Sequence, residues 1–599
     1  MKIRVADYIA NFLIQKGITQ IFSVVGGGAM HLNDAFGHHP HLHCLYNHHE
    51  QASAMAAEGY ARVHNRMAAV CVTSGPGAVN ALTGVVGAYQ DSIPMLVLSG
   101  QVKTALTLRR IGLPLRTVGG QEVDIAPIVQ QNMVKFAEMV VDPQRIRYAL
   151  EKAIYLATSG RPGPCWLDIP VDVQGAYVET EEVEGYQPEA GSLSPTEEQI
   201  DTVLARLQQA KRPVLYAGNG IRLAGAAALF RRLVNELQIP VVTCWNSIDL
   251  IGTEDPYYCG RGGNMGDRAG NFAVQNSDFL LCIGSRLGIY QVGWDVKTWA
   301  REAYAVVVDI DPYELQKPTL RADLPVCADA RLFLERLLDR VKEPVLATDW
   351  VQQCGEWKKT YPVVQTPQYE EKGACNVYAF MDTLSRRLPE GAITVVANGS
   401  ASVVGSQAYY VKNHDRFLMN CALSSMGYGL PAAIGASLAN GGKSVICIEG
   451  DGSIMMNLQE LQTVVTNRLP IKIFVINNQG YQQIRLTQKN IFQSTLVGVG
   501  PDSGDLGFPN FEKIAAAFGI SYRRIQTNQD LPTVIEKTVR QSGVVLCEVM
   551  VSTSQAFEPK AATKRLEDGT FFSPPLEDMA PFLSREELAK NMYISMLPE

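Results

Sequence analysis

The residues best placed to do chemistry are an aspartate and an asparagine, each at the end of an apolar, strand-like run. Asp451 lies in GDGS at 450–453, directly after KSVICIE, and Asn478 closes IKIFVINN. If the two runs are neighbouring strands, a carboxylate and an amide oxygen point at one cation. Hard oxygen donors of this kind suit Mg²⁺, which needs few protein ligands when a diphosphate supplies others. Gly450 and Gly452 let backbone N–H groups approach phosphate oxygens, and a helix expected from near Met456 would turn its N-terminus toward the same anion. GDG alone reads as an Asp-Gly turn and NN alone as the end of a strand. Their combination behind two apolar strands singles them out.

A second candidate is Glu50, in YNHHEQASAMAAEGYARV, which is followed by VCVTSGPGAVNALTGVVGAYQDSIPMLVLSGQV. A Glu opening an Ala-rich helix is ordinarily a solvated first-turn acid. Its apolar flanks are also compatible with a partly desolvated carboxyl that handles a proton. The histidines tempt a metal reading, since all but His414 lie at or before His64. HHPHLH at 38–43 has no zinc spacing, however, and reads as a surface cluster, although His49 could line a site.

The elements that must hold these residues are legible as short β-rich runs ending in Gly, alternating with amphipathic or Ala-rich stretches, the pattern of βαβ units. IFSVVGG, MAAVCVTSGPG and PMLVLSG fall in the first third. PVLYAGNG, PVVTCW, DFLLCIGSRL and AYAVVVDIDP fall in the second, and AITVVANGS, KSVICIEGDGS, IKIFVINNQG and VVLCEVMV in the third. The fold class expected is α/β, with three doubly wound parallel-sheet domains. Acidic, Pro- and Gly-containing YVETEEVEGYQPEAGSLSPTEEQ and a stretch between VKEPVLATDW and TPQYEEKGAC read as linkers. They divide the chain into residues 1–185, 190–345 and 365–555, with a tail at 556–599 expected to wrap over the surface.

Composition narrows the function. A formal net charge of -7 with no long basic run argues against a nucleic-acid partner. No stretch approaches the ~20 apolar residues of a membrane span, and no signal-peptide pattern opens the chain, so a cytoplasmic protein is expected. The 12 Cys are scattered singly, several of them inside strand-like runs, and read as buried thiols. No GxGxxG with a following acid marks a nicotinamide dehydrogenase.

GDG followed at this distance by NN resembles the metal- and diphosphate-binding motif of thiamine-diphosphate enzymes, and the segments around Glu50 resemble the pyrimidine-binding domain of acetolactate synthases and their relatives. The resemblance runs from Val5 to about Val551. It implies a pyrimidine-binding, a central and a diphosphate-binding domain. It implies that Asp451, Asn478 and the Gly480 carbonyl hold Mg²⁺, that Glu50 hydrogen-bonds the aminopyrimidine, and that Met426, in CALSSMGYG, shapes the bound coenzyme. Further cofactor contacts implied are Gly27, Gly28, Gln101, Gly399, Ser400, Gly450, Gly452, Ser453 and Tyr481. The activity implied is decarboxylation of a 2-keto acid, pyruvate for preference, and transfer of the acyl unit to a second carbonyl, in a homodimer or homotetramer. Decarboxylation or C–C cleavage without ligation is the alternative.

The chain departs from the acetolactate synthase pattern on the acceptor side. Gly120 stands before Gln121 where a Phe is usual, and Thr487 falls where a Trp is usual. Each missing group is worth roughly 1–3 kcal/mol of discrimination, so a wider acceptor pocket is expected. GYQQIRLTQ and the tail resemble acetolactate-synthase-like proteins of surface-sugar pathways, which points to a keto-sugar acceptor. GRGGNMGDRAGN and VVVDIDP fall where relatives bind FAD. FAD, ADP and an empty central site all stay open.

Overall fold

Strands such as Met95–Gln101 and Pro164–Pro170 are buried along their whole length and mostly apolar, as expected of parallel strands covered by helices on both faces. The structure, a computed structural model, describes residues 1–188, 191, 193–492, 494–565 and 571–597. It contains three six-stranded parallel sheets. The first runs His43–Tyr46, Gln20–Ser23, Ala69–Val72, Met95–Gln101, Pro164–Pro170, Phe136–Met139. The third runs Arg416–Met419, Ile393–Val396, Val445–Gly450, Ile471–Asn477, Val545–Met550, Ser521–Ile525.

With strands numbered in chain order, both of these sheets read 2-1-3-4-6-5, whereas the middle sheet reads 3-2-1-4-5-6. Each order reverses beside its first strand, and there the loops at the carboxyl ends of two adjacent strands diverge and leave a crevice. In the first sheet the crevice lies between Gly26–Gly28 and Ser74–Gly75, and in the third between Asn398–Ser400 and the GDGS loop. In the middle sheet it lies between Gly218–Gly220 and Gly284–Arg286. Topology thus carries the motifs singled out in the sequence to the ends of neighbouring strands.

The first and third domains share one apolar core, built around helix Glu50–His64 packed on helix Gly429–Ala439. Glycine permits that packing. A Cβ on Gly435 would lie 1.8 Å from the Ala56 carbonyl oxygen, and one on Gly59 2.2 Å from that of Ala432. Beside this contact Arg62 is buried between Glu58 and Asp91, and Asp91 also accepts backbone N–H bonds from Cys421 (2.7 Å) and Ala422 (3.0 Å) of the third domain.

Several elements differ from the sequence reading. The first linker begins as a strand, Tyr177–Glu179, paired antiparallel with Lys2–Arg4; its residues 189, 190 and 192 lie outside the described residues. Most of the second linker is helical: Thr348–Thr360 is mainly polar, but Trp350, Cys354 and Trp357 form one stripe and enter the middle domain's core. The helix expected from Met456 is a single 3₁₀ turn, Ile454–Met456, and the α-helix starts at Glu460. Residues 566–570, 598 and 599 of the tail lie outside the described residues. Phe557 at its start joins the core of the third domain, and farther along Leu576 and Leu588 join the core of the middle domain, where Glu577 pairs with Arg301 at 2.8 Å.

Candidate active site

The strands Val445–Gly450 and Ile471–Asn477 are hydrogen-bonded neighbours, so Asp451 and Asn478 leave the same edge of the sheet. Asp451 accepts N–H bonds from Gly452 (2.8 Å) and Gly480 (2.9 Å), and its side chain is buried. Burial pushes its carboxyl up to about 7, against the pull of those two N–H groups and of Arg485. Asn478 donates from Nδ2 to Ser400 Oγ at 3.1 Å, which leaves its buried Oδ1 without a hydrogen-bond partner among the described residues. A buried carboxylate and an orphaned amide oxygen form a donor set that fits Mg²⁺. No group of three or more His, Cys, Asp or Glu that could hold a metal ion occurs among the described residues.

The loop around this pair is close-packed. A Cβ on Gly452 would lie 2.3 Å from the Tyr481 ring, so Tyr481 can sit against the GDGS turn only because glycine is there. Ser453 Oγ accepts from the Gly427 N–H at 2.9 Å and thereby ties the Met426–Gly427 segment to the GDGS loop. Met426 itself is half-buried. Gly399 has φ 66°, a left-handed conformation that turns the chain from its strand into helix Ser400–Ala408.

In the first domain Glu50 is the first residue of its helix, after His49, whose Nδ1 accepts from the Gln51 N–H at 3.1 Å. Asn80 Nδ2 donates to Glu50 Oε2 at 3.0 Å, and a carboxylate at this end of the helix is favoured by the dipole. Gly28 donates to Thr73 Oγ1 at 3.0 Å, and a Cβ on Gly28 would lie 2.5 Å from Ser74 Oγ. Gly27 faces open space. Gly26, which the sequence reading passed over, is as constrained as Gly28, since its Cβ would lie 2.5 Å from Thr73 Cβ.

Gln101, expected as a cofactor contact, also has a place in the fold. It is buried, and its Nε2 donates to Val123 O (2.9 Å) and Asp168 Oδ2 (3.0 Å) while its Oε1 accepts from the Val102 N–H. It therefore fixes the chain after Gln121. Gly120 and Gln121 are exposed and both left-handed, with φ 90° and 55°; a Cβ on Gly120 would meet nothing within 4 Å. Thr487 is exposed at the end of helix Gln482–Thr487, and its hydroxyl is turned back onto Gln483 O.

Glu50 and Asp451 are not brought together within one chain by any contact among the described residues. What meets the Glu50 segment from the same chain's third domain lies beyond the GDGS loop: Glu460 accepts from Asn47 Nδ2 and His48 N, and Asn457 donates to Gln51.

The middle domain holds a cavity of about 330 Å³ at its crevice, lined by Gly220, Gly284, Arg286 and Asp309, with Asp91 and Arg161 contributed by the first domain. Of the two segments singled out in the sequence, VVVDIDP reaches the cavity wall through Val308–Ile310, whereas GRGGNMGDRAGN lies outside it. The contributions of Asp91 and Arg161 carried no signal in the sequence, because they cross a domain boundary.

Family models for the N-terminal TPP binding domain, the central domain and the C-terminal TPP binding domain of thiamine pyrophosphate enzymes match residues 3–127, 200–337 and 397–549. The acetolactate synthase large subunit of Cyanidium caldarium is 31% identical over 92% of this chain and 94% of its own length. Isozyme 2 of Escherichia coli (strain K12) is 30% identical over 91% and 95%, and the large subunit of Lactococcus lactis subsp. lactis (strain IL1403) 31% over 92% and 93%. The chain belongs to the thiamine pyrophosphate enzymes and is an enzyme of the acetolactate synthase type.

Proposed function

We propose that the protein is a Mg²⁺-dependent carboligase that decarboxylates a 2-keto acid, pyruvate for preference, and transfers the acyl unit to a second carbonyl compound. The observation that carries this reading is the pairing of a buried Asp451 carboxylate with the orphaned Asn478 Oδ1 at adjacent strand ends. When bound, thiamine diphosphate supplies an electron sink that lets a carbonyl carbon react as a nucleophile. Asp451, Asn478 and the Gly480 carbonyl would hold the cation against the diphosphate. Met426, tied through Gly427 to Ser453, offers an apolar support between the two ends of the coenzyme. Glu50 holds or releases a proton at the pyrimidine ring, aligned by Asn80.

Because Glu50 and Asp451 occupy different domains, and Glu50's neighbours from its own third domain are Asn457 and Glu460, a complete site is best supplied by two copies of the chain. A glycine at position 120, where acetolactate synthases usually carry a Phe, favours a bulkier acceptor than a small 2-keto acid, such as a keto-sugar. The central cavity suits the adenosine diphosphate moiety that FAD and ADP share, with Asp309 for a ribose, glycine turns at a crevice, and Arg161 and Arg286, which would have to turn from Asp311 and Glu314 to meet phosphates. Incubating labelled pyruvate with candidate acceptors and identifying products by mass spectrometry tests the reaction. Release of CO₂ with no ligated product would leave only the simple decarboxylase.

A further inference from the structure

Arg485 lies in the short helix Gln482–Thr487, directly behind the Asp451–Asn478 pair, and its side chain is 0% exposed. A guanidinium carries five N–H donors in a rigid fork. All five have partners here. Nη1 donates to Asn478 O (3.1 Å) and Gln482 Oε1 (2.6 Å), Nη2 to Gln479 O (2.7 Å) and Asp502 Oδ1 (3.0 Å), and Nε to Asp502 Oδ2 (2.9 Å). One side chain thus holds two successive carbonyls of the Asn478–Gly480 turn and, through a two-point carboxylate contact, the 3₁₀ turn Pro501–Ser503.

The two segments touch with no side chain between them. Tyr481 N–H donates to Val499 O at 2.8 Å. Gly480 has φ 127°, and a Cβ there would lie 1.8 Å from the Val499 carbonyl oxygen; one on Gly500 would lie 2.1 Å from that of Gln479. Such an interlocked backbone cannot shift piecemeal. Gln482, which accepts from Arg485, donates to Thr553 O and Gln555 O, so the same hub reaches the chain after the last strand.

We infer that Arg485 is a positioning residue for cation binding: it clamps the Asn478–Gly480 turn onto the 499–502 segment and so fixes the orientation of the Asn478 amide and the Gly480 carbonyl. The inference rests on the proposed Mg²⁺ site. Lysine has three donors on a flexible stem and cannot reproduce the five-point grip, and groups that orient metal ligands in this way are worth ~10–100-fold in metal affinity. Asp502 matters for a second reason: without its carboxylate a buried guanidinium charge stands unneutralised beside the cation site.

The test is equilibrium dialysis of labelled thiamine diphosphate against the full-length protein over a Mg²⁺ titration, for wild type, Arg485→Lys and Asp502→Asn. Both variants should need about 10–100-fold more Mg²⁺ for half-saturation, yet reach wild-type capacity at saturating Mg²⁺, with Asp502→Asn the milder. A variant that had merely lost its fold would lose capacity at every Mg²⁺ concentration. Asp502 is 37% exposed and its amide keeps the shape, so this variant serves if Arg485→Lys does not fold. Wild-type half-saturation in a folded variant of either kind overturns the inference and leaves the Mg²⁺ site standing. Cofactor binding by wild type that does not respond to Mg²⁺ overturns the site itself.

Discussion

At the scale of single residues, the groups proposed for the two ends of the coenzyme do separate work. Asp451→Ala removes the only charged ligand proposed for the cation, and cofactor-dependent turnover should be lost even at saturating Mg²⁺ and thiamine diphosphate. Near-normal turnover under those conditions would remove Asp451 from the site. Glu50→Gln keeps the size of the side chain and its contact with Asn80, but not the ability to exchange a proton. Turnover should fall by about 10²–10⁴-fold, the usual worth of general acid–base catalysis, with coenzyme affinity largely retained. Proton exchange at the coenzyme's C2, followed by quenching in deuterated water and NMR, should slow in parallel. A variant that exchanges as fast as wild type would make Glu50 structural. Asp451, Asn478 and Glu50 were legible because each ends a strand or opens a helix in a recognisable motif. Arg485 was not, since its meaning depends on a segment that returns to it through Asp502.

Among the elements, the pairing of helix Glu50–His64 with helix Gly429–Ala439 matters most, because it joins the domain carrying Glu50 to the one carrying Met426. Gly435→Ala would drive a methyl group into the Ala56 carbonyl, and the only relief is separation of the helices. Overpacking of this kind costs about 1–3 kcal/mol, so the variant should unfold at lower denaturant than wild type. Gly355→Ala, whose Cβ would meet nothing within 4 Å, is the control and should not be destabilised. An unchanged midpoint for Gly435→Ala would show that the helices have room to adjust. Strand runs and their Gly ends were readable because buried parallel strands are mostly apolar. Helix Thr348–Thr360 was missed because only Trp350, Cys354 and Trp357 of its thirteen residues are buried, too thin a stripe to outweigh its polar composition.

At the scale of the whole molecule, apolar side chains stay exposed around both halves of the site. Val25, Met30 and Val79 lie on the first domain, and Met455, Met456 and Ile484 on the third. Exposed apolar groups at two half-sites are what an interface between copies of the chain would cover. The active protein should sediment as a dimer or larger, and a fully active monomer would contradict the two-copy site. No helix among the described residues is long and apolar enough to cross a membrane. Three domains could be counted from the alternation of strands and helices. Their mutual packing, including the reach of Asp91 and Arg161 into the central cavity, could not, because contacts between distant segments leave no periodic trace.

The most direct test of the central claim is a single reaction followed by mass spectrometry, with purified protein, labelled pyruvate, thiamine diphosphate, Mg²⁺ and a panel of carbonyl acceptors, wild type beside Asp451→Ala. Wild type should give labelled CO₂ and a product joining the remaining two carbons to an acceptor carbonyl, both dependent on Mg²⁺ and both lost in the variant. Product formation that persists in Asp451→Ala, or pyruvate left unconsumed by wild type with every acceptor, would contradict it.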